Sequence, residues 1–429
     1  MRYWKNDEFN LESDGPQFLF LGGETEASSF DVLYQIYPHV QYAKAINATL
    51  WTLEHRFYGK SQPFGSLATP YLRYLNSQQA VADIAYFITS QNTALNLTNP
   101  QWIIYGGSYA GSLALWFNKL YPDLSKGVVA SSAPINFRLD FYDYLKYTEF
   151  LIESHSSECV KNINIAIKDF QWRLTRNNDG KNLVSYSFPL KPSLETMNIT
   201  YEGIGFLYSS ILSYFQTAIQ YTNVNAKAYK YDVGIIPFCQ NMAFPYPMRY
   251  LNLAMAIGNM SSYLLGSSPG LSVKYADFVS YLRDPNSNDS EQRSTRAWTW
   301  QSCNEFGNFL STNGGKSFFG NHISYNFYIG ICIDVFGISI VRTQTGIRKS
   351  IAAYGLSTTY TGKNVIASRN YYDPWSLLAL TKSNDPSVIT YEIDGTGHCA
   401  DMAPLSPNDN ESLKHYRKLV METIKKWVL

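Results

Sequence analysis

Residues Gln101 to Trp116 read QWIIYGGSYAGSLALW. Trp102, Ile103, Ile104 and Tyr105 form a short run rich in β-branched and aromatic residues and closed by glycine, the pattern of a strand covered on both faces. From Tyr109 onward Ala110, Leu113, Ala114 and Phe117 recur at three- and four-residue spacing, which predicts a helix starting directly after Ser108. A chain that turns from strand to helix within about one residue passes through a cramped backbone corner and needs very small neighbours around the side chain at its apex. Gly106, Ala110 and Gly111 meet that need.

This is the nucleophile-elbow pattern GxSxG of α/β-hydrolases, with Ala110 in the place of the last glycine. It lifts the Ser108 hydroxyl clear of a sheet and aims the Tyr109 backbone N–H at a developing oxyanion. A turn that only packs would use the same small residues, so the rest of the chain decides.

On the N-terminal side, Gln17 to Leu21 (QFLFL) is a short apolar strand running into Gly22-Gly23-Glu24, where the Gly23 N–H is the candidate second oxyanion donor. Thr49 to Leu53 reads as a strand followed by Glu54-His55-Arg56, and Glu54 and Arg56 are expected to form a structural ion pair. A helix follows over Gln78 to Ser90, then the elbow, then a strand over Gly127 to Ala130. Such alternation is that of a parallel sheet with crossovers. From Phe141 to Gly346 the pattern is mostly helical, as in Ile204 to Tyr221, and reads as an insertion capping the C-terminal edge of the sheet. Strands resume over Asn364 to Ser368 and Val388 to Ile393, and a helix over Ser412 to Val428 closes the chain. The fold class is therefore α/β: an α/β-hydrolase fold with a large, mostly helical cap insertion. Residues 1–140 and 347–429 form the hydrolase domain and residues 141–346 the cap.

An α/β-hydrolase triad runs Ser, acid, His, with the acid and His on loops after the last strands. Asp373 follows one resumed strand and His398 the other. His415, the other histidine beyond Asp373, falls on a solvent-facing position of the last helix. A serine hydroxyl is a poor nucleophile until an imidazole takes its proton, and a carboxylate then fixes the imidazole tautomer and stabilises the imidazolium. The candidate catalytic residues are Ser108, Asp373 and His398.

The 429 residues carry 35 basic and 34 acidic side chains and no block of like charge, which argues against nucleic acid or an anionic membrane surface as partner. The longest apolar window, Phe327 to Val341, spans about fifteen residues and contains Asp334, too short and polar to cross a bilayer. The N-terminal MRYWKNDEFN has no signal-peptide core. Six sequons, at Asn47, Asn96, Asn198, Asn259, Asn288 and Asn410, decide little, since an Asn- and Ser-rich chain of this length yields about five by chance. The five cysteines form no CxxC pair and show no zinc-finger spacing, so no metal is expected; their odd number leaves one thiol free or bridged to another chain.

Five stretches together resemble the serine peptidase family of lysosomal Pro-Xaa carboxypeptidase, dipeptidyl peptidase II and thymus-specific serine protease. They are EHRFYGKSQPF at Glu54 to Phe64, GGSYAGSLALW at Gly106 to Trp116, WTWQSCNEFG at Trp298 to Gly307, DPWS at Asp373 to Ser376 and GTGHCADM at Gly395 to Met402. The resemblance implies a peptidase acting beside proline near a chain end, with Ser108 as nucleophile, Asp373 as orienting acid and His398 as base. It also implies Trp375 in the pocket for proline, whose ring suits a flat indole face. Cap disulfides Cys159–Cys239 and Cys303–Cys332 are implied too, leaving Cys399 free and pointing to a secreted or lysosome-like compartment. By the same resemblance a further segment precedes the RYW equivalent in family members, so Met1 is read as marking either a truncation or an incomplete gene model. The family's Asn-Gly before DPWS is Asn370-Tyr371 here, and its GNEG is Gly22-Gly23-Glu24-Thr25.

The expected partner is a peptide substrate, with no cofactor; a homodimer is left open. Trimming from the amino end needs a buried acid for the peptide ammonium, for which Glu24 and Glu305 are candidates, whereas carboxy-end trimming needs a cation. Two other readings are a lipase or esterase on the same fold and a silent peptide-binding protein. The intact Ser, Asp and His set argues against the last.

Overall fold

The structure, a computed structural model, describes residues 1–12, 14–196, 198–224, 233–265 and 270–428, with the backbone only at 263–265. The described strands are β1 (Tyr3–Asn6), β2 (Gln17–Leu21), β3 (Thr49–Leu53), β4 (Trp102–Gly107), β5 (Gly127–Ser131), β6 (Arg138–Asp140), β7 (Gly307–Phe309), β8 (Val365–Asn370) and β9 (Val388–Ile393). Seven of them form one sheet in the order β1-β3-β2-β4-β5-β8-β9, while β6 pairs with β7. Only β1 runs antiparallel in the seven-stranded sheet; the others are parallel, with β4 central and in register Leu19 to Ile104 and Tyr105 to Val129. This is an α/β-hydrolase fold.

The central strands are apolar because they are covered on both faces: Phe18, Leu19, Ile103, Ile104, Val128, Val129, Val365 and Ile366 are all fully buried. Parallel strands need helical crossovers, and these are supplied by the helices Ser77–Ala94 and Ser108–Leu120. The last helix, Glu411–Val428, buries Leu413, Tyr416, Val420 and Ile424 and brings the Trp427 indole against Gly127, where a Cβ would lie 2.2 Å from the ring.

The chain divides into two units. The sheet unit comprises Met1–Arg138, Leu282–Gly307 and Phe336–Leu429; the other comprises Leu139–Tyr281 and Asn308–Val335. Residues 282–307, read from sequence as part of the insertion, thus pack with the sheet. The reason is visible in Arg296, 2% exposed, which donates to the carbonyls of Leu67 and Leu282, and in Trp300, whose indole N–H donates to Leu75 O. The second unit is mostly helical, with helices including Asp143–His155, Ser157–Arg176 and Tyr201–Gln220. A disulfide joins Cys159 to Cys239, and Phe170 packs edge-on against both Phe188 and Tyr208.

The predicted Glu54–Arg56 ion pair does not form. Glu54 is instead held by Arg2, at 2.5 and 3.0 Å, and Arg56 forks onto Asp83 at 2.5 and 2.6 Å. Both pairings cross long sequence separations that local spacing does not reveal.

Candidate active site

Strand β4 ends at Gly107 and the helix begins at Ser108, whose backbone is left-handed at φ +52°. A non-glycine residue there costs about 1–3 kcal/mol and persists only where its surroundings fix it. They do so by close approach: a Cβ on Gly106 would meet Ala110 O at 2.3 Å, and one on Gly111 would meet Ala133 Cβ at 3.0 Å. The first-turn N–H of Tyr109 has no helical carbonyl to bind and no partner among the described residues.

The loop after β2 runs alongside. Gly22 donates to Leu53 O at 2.9 Å, and a Cβ on Gly23 would lie 3.6 Å from the Ala110 Cβ and 3.7 Å from its nitrogen. The Gly23 N–H therefore stands beside the elbow without a partner among the described residues. Glu24, next in the chain, is partly buried, and burial raises its carboxyl above the usual range, opposed by its own backbone N–H and by His398.

His398 and Asp373 meet at 2.7 Å through Nδ1 and Oδ2, with 5% and 0% of their side chains exposed. The second carboxylate oxygen of Asp373 accepts the Trp375 N–H at 3.0 Å, which fixes its plane. Burial alone would lower the His398 pKa; the Asp373 charge, helped by Cys399, outweighs it and holds the imidazole well above its ordinary value. The loop carrying His398 reaches the elbow, since a Cβ on Gly107 would sit 2.0 Å from Met402 Sδ and 3.3 Å from Cys399 Sγ.

Residues that sequence reasoning did not single out build the support. Asn370, at the end of β8, donates to Ser132 Oγ at 2.7 Å and accepts from Thr396 Oγ1 at 2.8 Å. Ser132 Oγ in turn accepts the Cys399 N–H at 3.0 Å, so one hydroxyl ties together the loops after β5, β8 and β9. Asp401 accepts from Ser131 Oγ at 2.6 Å and Ser368 Oγ at 3.3 Å. Arg417 pairs with Asp409 and donates to the carbonyls of Ala400, Asp401 and Ala403, clamping the loop that follows His398. The only sequence signals for these were polar residues at strand ends and an arginine on the inward face of the last helix.

Behind the elbow, Tyr109 Oη meets His55 Nε2 at 3.0 Å and accepts from Gln301 Nε2 at 2.8 Å, and Gln301 accepts from Tyr58 Oη at 2.7 Å. Burial lowers His55 to a pKa of about 4, so it is neutral in this network. Trp298 packs 5.3 Å from the Tyr109 ring. Glu305 is turned to the N-terminus of the helix Ser77–Ala94, where both its oxygens accept the Ser77 N–H at 3.0 Å. Burial pushes it up to about 7. Trp375 is partly buried on the turn after Asp373. Cys303 and Cys332 are both oxidised in disulfides, like Cys159 and Cys239, and Cys399 keeps a free thiol. Among the described residues no cluster of His, Cys, Asp and Glu could hold a metal ion.

A model described as serine carboxypeptidase S28 matches residues 1–420. The human thymus-specific serine protease is 30% identical over 432 residues, which take in 100% of this chain and 82% of that protein. Its mouse counterpart is 30% identical over 441 residues, covering 100% of this chain and 83% of that protein. A Caenorhabditis elegans protein, prolyl carboxy peptidase like protein 5, is 26% identical over 469 residues, covering 100% of this chain and 86% of that protein.

Proposed function

Because the chain belongs to the serine carboxypeptidase S28 family, we propose that it is a serine exopeptidase cleaving peptide bonds next to proline, or a small residue, near a chain end. The observation that carries this reading is the buried 2.7 Å contact between His398 and Asp373, on loops of the same sheet whose central strand presents Ser108 at a left-handed corner.

In this mechanism His398 takes the Ser108 proton as the hydroxyl oxygen bonds to the peptide carbonyl carbon. The carbonyl oxygen becomes an oxyanion facing the N–H groups of Tyr109 and Gly23. The imidazolium, stabilised by Asp373, then gives its proton to the departing amine as the C–N bond breaks. Water, deprotonated by the same imidazole, hydrolyses the resulting ester and restores Ser108. Trp375 offers an aromatic face for a pyrrolidine ring. The Cys159–Cys239 bridge supports an oxidising compartment, secreted or lysosome-like.

The test is turnover of paired peptides that differ only in proline against leucine beside the scissile bond, with a short acyl ester alongside. Preference for the proline peptide supports the reading. Efficient ester turnover with no peptide cleavage would replace it with an esterase.

A further inference from the structure

Two of the stretches that stand out in the sequence, Glu54 to Phe64 and Trp298 to Gly307, contribute none of Ser108, Asp373 and His398. Both lie in the sheet unit, and both close on one side chain, that of Tyr109. The first supplies His55, whose Nε2 stands 3.0 Å from Tyr109 Oη, and Tyr58, which donates to Gln301 Oε1 at 2.7 Å. The second supplies Gln301, whose Nε2 donates to Tyr109 Oη at 2.8 Å, and the rings of Trp298 and Phe306, centred 5.3 and 5.5 Å from that of Tyr109. His55, Tyr58, Tyr109 and Gln301 are all buried.

Each proton in this chain of bonds has one place to be. The Arg56 carbonyl, 2.7 Å from His55 Nδ1, can only accept, so Nδ1 carries the ring proton. The buried imidazole is neutral, and its Nε2 therefore accepts the Tyr109 hydroxyl proton. That leaves the Tyr109 oxygen to accept from Gln301, whose own oxygen takes the Tyr58 proton. The far end is anchored too, because Arg56 forks onto Asp83 and donates to Tyr74 O at 2.9 Å. One partner would satisfy a buried phenol; this one is gripped by two, with aromatic rings packed along its length.

Tyr109 directly follows the left-handed corner at Ser108, a conformation that persists only where its surroundings over-determine it. The direction of the Tyr109 N–H is set by the peptide plane between these two residues. A side chain pinned at its tip and along its ring leaves the Tyr109 Cα little freedom to rock that plane. Such rigidity matters because a donor stabilises an oxyanion only when it is already aimed where the charge forms.

We propose that His55 and Gln301 are positioning residues for the oxyanion site: holding the Tyr109 hydroxyl between them, they keep the Tyr109 N–H aimed at the oxyanion formed when Ser108 attacks. The inference rests on Ser108 being the nucleophile, and it holds whether the acyl group comes from a peptide or an ester.

The experiment follows fluorophosphonate labelling of the full chain at rising probe concentration, which separates the maximal first-order rate from the half-saturating concentration. As the Ser108 oxygen bonds to phosphorus and fluoride leaves, the phosphoryl oxygen gathers charge in the oxyanion site. The chains compared are the parent, Tyr109→Phe, Gln301→Met, His55→Leu, His55→Gln and the double variant Tyr109→Phe with Gln301→Met, each with its urea midpoint. Tyr109→Phe is expected to lower the maximal rate about ten- to a hundredfold while the half-saturating concentration stays within about threefold. Gln301→Met and His55→Leu fall in the same way, and His55→Gln, which still offers the hydroxyl an acceptor, keeps part of the rate. The double variant is no slower than Tyr109→Phe, because without the hydroxyl Gln301 has nothing to hold. The variants at His55 and Gln301 carry the test whether or not Tyr109→Phe folds. Folded single variants that label at the parent's maximal rate overturn the proposal, as do a loss confined to the half-saturating concentration and a double variant in which the two losses multiply. A folded parent that takes no label overturns the assignment of Ser108 and the proposal with it, an outcome distinct from a labelled parent with equally fast variants.

Discussion

Replacing Asp373 with asparagine tests how the buried pair works, and the structure dictates which way the new amide turns. Asp373 Oδ1 accepts the Trp375 N–H at 3.0 Å, while Oδ2 faces His398 Nδ1 at 2.7 Å. In Asp373→Asn the amide oxygen must stay on Trp375, since opposing its N–H with an NH2 group would leave a buried donor unmet at a cost of about 1–3 kcal/mol. The NH2 group then donates to His398 Nδ1 and forces the ring proton onto Nε2, the tautomer that cannot accept a proton from Ser108. Reaching the working tautomer by flipping the amide costs about 2 kcal/mol, roughly thirtyfold in rate. Losing the charge-assisted bond to the imidazolium removes another 1.5–3 kcal/mol or so, roughly ten- to a hundredfold. The expected fall in kcat is therefore on the order of a thousandfold, with little change in KM. Removing the charge that raises His398 also moves the acid limb of the rate profile to lower pH. Peptide turnover from pH 4 to 9 reads both effects. An Asp373→Asn enzyme within tenfold of the parent, with its acid limb unmoved, would refute the reasoning.

Three further outcomes follow from other parts of the molecule. Arg417→Ala strips Asp409 of its partner and leaves the carbonyls of Ala400, Asp401 and Ala403 without their donor; it should cost about 3–5 kcal/mol in urea unfolding and slow fluorophosphonate labelling. Glu305 has a folded pKa of about 7 against 4.5 for the free group, so the folded state binds the extra proton and its ionisation makes stability fall as pH rises through that window. Relative to Glu305→Gln, the parent should lose on the order of 3 kcal/mol between pH 4.5 and 7 and nothing further above it, measured by urea midpoints across pH. Replacing Cys159 and Cys239 by alanine opens a bridge between residues 80 apart in sequence, which should destabilise the second unit by about 4 kcal/mol in guanidinium unfolding.

The α/β-hydrolase fold was legible in the sequence because its strands and helices are apolar at regular spacing, and the elbow because its small residues are adjacent. The helix predicted over Gln78 to Ser90 runs Ser77–Ala94, and the last strand is Val388–Ile393 as predicted. Strand β1 escaped because Tyr3-Trp4-Lys5-Asn6 is a short edge segment with one buried residue, recognisable only beside β3. Asp373 and His398 were singled out through their positions after the last two strands, and the structure brings the two side chains to 2.7 Å. The network of Asn370, Ser132, Asp401 and Arg417 was not, since its members are polar residues brought together across up to 286 positions of sequence, from Ser131 and Ser132 to Arg417. The destination of Glu305 was hidden for the same reason, its hydrogen bond to Ser77 spanning 228 residues.

The most direct test of the central claim is to react the purified chain with a fluorophosphonate, digest it and locate the adduct by mass spectrometry, with Ser108→Ala treated in parallel. The account predicts one adduct, on the Ser108 hydroxyl, in the parent and none in the variant. A folded parent that stays unlabelled from acidic to neutral pH, or an adduct on another serine that persists in Ser108→Ala, would contradict it.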